Sequence, residues 1–231
     1  MASISISSFV KCLVRKPDYR DSIIRSEKRL AARKKVAKEN KAKEDTTPFA
    51  AVYYSRACGI VRNFHKHNHH ISWLTQRANY IESLIIDNMT KRQKQTLKNN
   101  ARGILDYSNH FANQRMQIMP LRRLQYTYSD LVINIQPDVY AIRHGLPHMI
   151  KLNFSKDIIN DLSSALYWDT YTQMIYLGMF QHEYFSGNFR AATFHVSHQS
   201  ENIVSGLSDI NLIMIEDVCS DILERWNTVY I

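Results

Sequence analysis

Two short segments hold residues whose types and spacing could act on a phosphodiester. Gln136-Pro137-Asp138-Val139 ends one extended run, and Met149-Ile150-Lys151-Leu152 lies in the next. Two carboxylates and a lysine on adjacent strands are a recurrent way to hold a hard divalent cation, because Mg²⁺ prefers oxygen ligands and keeps several waters for substrate and nucleophile. The lysine then positions the attacking water and offsets charge developing on the phosphate. With a turn centred near Gly145, Asp138 and Lys151 come almost opposite each other across a hairpin. The bland alternative is an ordinary hairpin with one charge of each sign paired across the strands.

The elements that must position this pair follow from the hydrophobic pattern. Thr90 is a plausible N-cap for a helix running to about Phe111, with Leu97, Ala101, Ile104, Leu105 and Phe111 on one face. The period then changes to two: Leu124, Tyr126 and Tyr128 alternate, as do Leu131, Ile133 and Ile135, with a break at Ser129-Asp130. Val139 to Ile142 and His148 to Phe154 are extended runs joined by Arg143-His144-Gly145-Leu146-Pro147. Helical spacing returns over 156–180, where Leu162, Leu166, Asp169, Gln173, Tyr176 and Phe180 fall three or four apart and place two polar residues in line with an apolar face. Ala191 to Val196 reads as a last strand and Leu212 to Trp226 as a closing helix. From residue 91 the order is helix, three strands, helix, strand, helix, an α/β domain over 90–231.

This arrangement resembles the PD-(D/E)XK nuclease superfamily over roughly residues 91–198. The resemblance is carried by Pro137-Asp138, the Gly145 turn, Ile150-Lys151-Leu152 and the helix after Lys156. It implies a restriction-endonuclease-like core, α-β-β-β-α-β, with a mixed sheet flanked by helices. Asp138 would then be the metal-binding acid, with Mg²⁺ as cofactor, and Lys151 the catalytic lysine. The stretch Ile150 to Lys156 is also similar to an uncharacterised bacterial branch of that superfamily. The chain departs from the pattern at Met149, where the family has Asp or Glu, and a thioether is a poor ligand for Mg²⁺. Either the acid has moved to the following helix, where Asp169 and Gln173 would point at the sheet, or the site has decayed and the domain binds nucleic acid or a partner without cutting. Decay is the favoured branch, because Asp169 lies about 18 residues beyond Lys151, roughly three turns into the helix.

Charge points to a partner. The formal balance is +9 over 231 residues, but residues 1–103 hold 22 of the 30 Lys and Arg and 8 of the 21 acids, so the halves are strongly opposed. Residues 11–43 alone carry 13 bases against four acids. From Tyr19 to about Lys43, rich in Lys, Arg, Ala and Glu with no Pro or Gly, a basic helix is expected, ending at Thr46-Thr47-Pro48. Arg25, Lys28, Arg29, Arg33, Lys34 and Lys35 are its candidate contacts to a polyanion; a solvated helical face is the plain alternative. Phe49 to Phe64 and His70 to Ile86 are two further helical candidates, completing a basic helical region over 1–89.

Other features carry less. His65 to His70 could offer imidazoles to zinc, but no cysteine or carboxylate stands near to complete a site, so an exposed polar loop is expected. Tyr126, Tyr128 and Tyr140 could stack on bases, although strand tyrosines are more often core. Cys12, Cys58 and Cys219 form no CxxC pair, which fits a reducing, cytoplasmic setting and argues against disulfides. The N-terminus lacks the pattern of a signal peptide, and no apolar run is long enough to span a membrane. Two functions are therefore expected to compete. One is a nucleic-acid-binding protein, DNA ahead of RNA, that holds or slowly cuts its substrate. The other is an inactive scaffold for other protein subunits in a bacterial defence or mobile-element assembly.

Overall fold

A computed structural model describes residues 1–39, 54–155, 162–182, 187–207 and 209–230. The chain is a mixed α/β protein with two mixed sheets. The smaller sheet has the order β1 (Ala2–Ser5), β4 (Leu131–Ile135), β3 (Leu124–Tyr128), with β1 parallel to β4 and β3 antiparallel to it. The larger has the order β2 (Gln117–Ile118), β5 (Val139–Arg143), β6 (Leu146–Asn153), β7 (Arg190–His195), β8 (Ser200–Val204). Only β6 and β7 run parallel in it, joined through α6 (Leu162–Phe180).

The expected run of three strands is thus corrected. The 124–135 hairpin belongs to a separate sheet, and the site hairpin β5–β6 pairs instead with the short β2 and with β7. One face of the small sheet is apolar: Ala2, Ile4, Leu124, Tyr126, Leu131, Ile133 and Ile135 are buried. The period of two read from residues 124–135 therefore marks a sheet with one covered face. Both faces of the larger sheet are covered. Tyr140, Met149 and Ala191 pack with α6, whereas Val139, Ile150 and Ala192 pack with α5 (Lys91–His110).

Helix α6 lies between the two sheets, touching β3 and β4 on one side and β6, β7 and β8 on the other. It is buried nearly all round from Thr170 to Ile175, as a helix enclosed on both sides must be. The single apolar face expected through Leu166 and Phe180 is not the buried one, for these two are 39% and 67% exposed.

The first 39 residues are part of this body. β1 supplies an edge of the small sheet, α1 (Ile6–Val14) packs on α6, and α2 (Arg20–Glu39) packs on α7 (Asp209–Thr228). α3 (Ser55–Lys66) and α4 (Ser72–Ser83) pack on α5, whose Thr90 cap is closed reciprocally by Gln93. A boundary at 89/90 would cut both hydrophobic cores, so the division into 1–89 and 90–231 does not follow the packing. No helix among the described residues is long and apolar enough to cross a membrane.

Candidate functional site

Pairing of Val139 with Ile150 sets Asp138 opposite Lys151, and the Asp138 N–H donates to the Ile150 carbonyl at 2.9 Å. The Lys151 Nζ lies 3.0 Å from Asp138 Oδ2, and the Leu152 N–H donates to the same oxygen at 2.9 Å. The two side chains are only 25% and 16% exposed. Four further residues close around them. Arg62 of α3 donates to the Asp138 carbonyl at 3.0 Å, the Cys58 thiol lies against the carboxylate, and Tyr167 and Tyr171 of α6 approach from the other side.

Electrostatics fix the protonation of this cluster. Burial works against the Lys151 ammonium, but Tyr171 and Asp138 outweigh it and hold its pKa above the ordinary lysine value. Burial pushes the Tyr171 phenol up to about 12 and the Cys58 thiol above its usual range. Lys151 is therefore a fixed cation paired with the Asp138 carboxylate, and Tyr171 and Cys58 are neutral donors beside the pair.

Asp169 and Gln173 are brought to each other and not to Asp138. Gln173 Nε2 donates to Asp169 Oδ2 at 2.6 Å, and Asn202 of β8 donates to Oδ1 at 3.3 Å. Lys151, Thr193 and Asn202 stand in register across β6, β7 and β8, with Thr193 in contact with Thr172 at 2.8 Å. Two strand spacings separate Asn202 from Lys151, about 10 Å. Two oxygens on one Mg²⁺, each about 2.1 Å from it, cannot be more than roughly 4 Å apart. Asp169 is held at β8 and Asp138 at the β5–β6 hairpin, each by its own partners, so the two are not brought to one ion. Met149, on the Lys151 face of β6, is fully buried in the core beneath α6. Neither Met149 nor Asp169 supplies a second acid beside Asp138, and no group of three His, Cys, Asp or Glu among the described residues could hold a metal. The residues do not fit Mg²⁺.

The basic helix divides by face. Lys28 Nζ donates to the carbonyls of Trp226 and Val229, and Arg25 donates to that of Tyr230 at 3.2 Å, so both serve the C-terminal end of α7. Arg20 and Arg225 tie the same two helices together through Asp221 and Asp21. Arg29 and Arg33 are exposed, while the side chains of Lys34 and Lys35 lie outside the described residues. Tyr126 and Tyr140 are buried core residues, whereas Tyr128 is half-buried at the edge of the same core, with its hydroxyl 3.0 Å from that of Ser220. The histidine run is not wholly a loop: His65 is buried in α3 against the Tyr107 hydroxyl, 2.7 Å away.

A second basic surface escaped the sequence reading. Lys91, Lys94, Lys98 and Arg102 recur at spacings of three, four and four along α5, beside its buried face of Leu97, Ala101 and Ile104, with Lys94 half-buried and the other three exposed. Their ion pairs, Lys94 to Asp87 at 3.9 Å and Arg102 to Asp106 at 3.8 Å, are long. The signal was present as a charged stripe on the flank of the apolar face. Likewise the i, i+4 pairs Cys58/Arg62 and Tyr167/Tyr171 mark helix faces, but nothing local tells that both faces meet at Asp138.

No protein-family model, curated protein or solved structure matches this chain.

Proposed function

We propose that the protein binds nucleic acid, DNA in preference to RNA, on a restriction-endonuclease-like core whose PD-(D/E)XK site has decayed. Helix α5, the large-sheet order β2, β5, β6, β7 and the α6 crossover, with β3 and β4 inserted as part of a second sheet and Asp138 and Lys151 opposed on the hairpin, support the core. The loss of cutting rests on one acid held by Lys151 and Leu152, with Met149 in the core and Asp169 two strands away. The observation that carries binding is the exposed basic row along α5, to which Arg29 and Arg33 add cations on α2. Such rows act through phosphate neutralisation and counterion release, which makes affinity fall steeply with salt.

The test is binding to duplex and single-stranded DNA and RNA over a salt series, run beside a cleavage assay with Mg²⁺ or Mn²⁺. Salt-dependent binding that weakens in Lys91→Glu and Lys98→Glu, with no cleavage, is the expected result. Metal-dependent cleavage lost in both Asp138→Ala and Lys151→Ala would overturn decay and mean a working nuclease with an acid from elsewhere. No binding to any nucleic acid would leave the scaffold reading, which the use of Arg25 and Lys28 inside the fold favours.

A further inference from the structure

Helices α3 and α4 form a hairpin whose inner seam is not filled. Leu74, Ala78 and Ile81 of α4 are buried. The next stripe round, Trp73, Arg77, Tyr80 and Leu84, runs at spacings of four, three and four along an open groove. Arg56 and Ile60 of α3 face it, and the groove holds about 740 Å³. Its lining has two arginines and no acid. Residues 54–110 around it carry nine Lys and Arg against three acids.

The two aromatic rings of the groove differ: Trp73 is sandwiched by its neighbours, whereas Tyr80 is open. The His69 ring stacks on Trp73 at 4.2 Å and 14°, and the Arg77 guanidinium lies 4.9 Å from the Trp73 ring centroid. Tyr80 is 56% exposed, two helical turns farther along the same side of α4. Stacked rings, guanidiniums and a net positive field are what bases and phosphates of an unpaired strand engage, whereas a duplex keeps its base faces stacked inside.

Resting on the nucleic-acid-binding reading, we infer that the α3–α4 groove takes single-stranded nucleic acid, with a base against the open Tyr80 ring and phosphates at Arg56 and Arg77. The contact is sequence-tolerant, because every base has a π face. Duplex DNA engages the α5 row instead.

Gly59 supplies a clean test, because a Cβ there meets nothing within 4 Å and the residue lines the groove. Gly59→Leu therefore plugs the groove without crowding the core, and replacing a mid-helix glycine favours the helix. Tyr80→Ala removes an exposed ring. Anisotropy is measured on the full chain with labelled oligo(dT) of about 15 nucleotides, within the span such sites cover, and with a hairpin duplex. Each variant is expected to weaken oligo(dT) binding about tenfold or more, the effect of losing one stacked base, and to change duplex binding less than about twofold. Oligo(dT) binding unchanged in Gly59→Leu, with duplex binding still sensitive to Lys98→Glu, would overturn the groove and leave the broader reading standing. Failure of the wild type to bind either probe would overturn both. A labelled acidic amphipathic peptide that binds the wild type and is lost in Gly59→Leu, where oligo(dT) does not bind, would overturn it in favour of a protein partner.

Discussion

Lys151 reaches across the β5–β6 hairpin to place its Nζ 3.0 Å from Asp138 Oδ2, and both side chains are largely enclosed. The two halves of this pair are not equivalent. Asp138 also accepts from the Leu152 N–H, whereas Lys151 loses its opposite charge if Asp138 is removed. Asp138→Ala is expected to cost about 2–3 kcal/mol, below the range for fully buried pairs because both groups keep some solvent. Lys151→Met should cost about 1 kcal/mol, since the carboxylate keeps a hydrogen bond. Urea unfolding of the two single variants and the double variant gives the coupling directly.

Acid should weaken the fold through three buried histidines, His65, His148 and His195, each held below its ordinary pKa by burial. Burial lowers His65 and His195 from 6.5 to about 4. A depressed folded pKa means the unfolded chain takes up the proton first. The neutral-histidine contribution is therefore complete above about pH 6.5 and drains away as pH falls toward 4, by up to about 3 kcal/mol for each of the His65 and His195 rings. Denaturant midpoints at pH 7, 5.5 and 4.5 measure the slope, and His65→Gln should make it shallower. Lys151 acts at the other end of the scale: its raised pKa leaves its contribution whole below about 10.5 and loses it only above.

Helix α2 should separate stability from binding by face. Lys28→Met removes the ammonium from the Trp226 and Val229 carbonyls and is expected to lower stability by about 1 kcal/mol. Arg33→Glu, on the exposed side, should leave stability within about 0.5 kcal/mol and reduce nucleic-acid affinity. Thermal unfolding and a salt-titrated binding curve on both variants check the split; the opposite pattern would mean that the helix turns its other face to the ligand.

Gly103 allows α5 to approach the site hairpin. A Cβ there would lie 2.6 Å from Cδ1 of the buried Phe154, whose ring is stacked on Tyr54. Gly103→Ala gains about 1 kcal/mol of helix propensity. It is nonetheless expected to destabilise by a net 1–2 kcal/mol from overpacking, read as a fall in denaturant midpoint.

What could be read from the sequence divides according to how local its cause is. The His144-Gly145 turn was legible because both residues take positive φ, 50° and 75°, as a two-residue hairpin loop demands, and the Asp138–Lys151 register follows from it. The Thr90 cap was legible for the same reason. Helix α6 was misread because a helix enclosed between two sheets has no polar face to set its phase; Leu166 and Phe180 looked like core and are exposed. β1 does alternate, with Ala2 and Ile4 inside and Ser3 and Ser5 outward, but four residues are too few to stand out, and no local pattern announces a parallel partner so far along the chain. Asp169 and Gln173 were rightly placed together on one helix. Which strand they meet, β8 and not β6, depends on the crossover that α6 makes.

The pairing of Ala2 with Leu131 also sets an order of events during synthesis. At about 5–20 residues per second, the first strand waits on the order of ten seconds for its partner to emerge from the ribosome. Until then Phe9 and Val10, both fully buried in the finished protein, have neither the small sheet nor α6 to cover them. A segment made well before its partners is thus among the last to be enclosed, and its apolar side chains stay uncovered while residues 124–135 and α6 are still being translated.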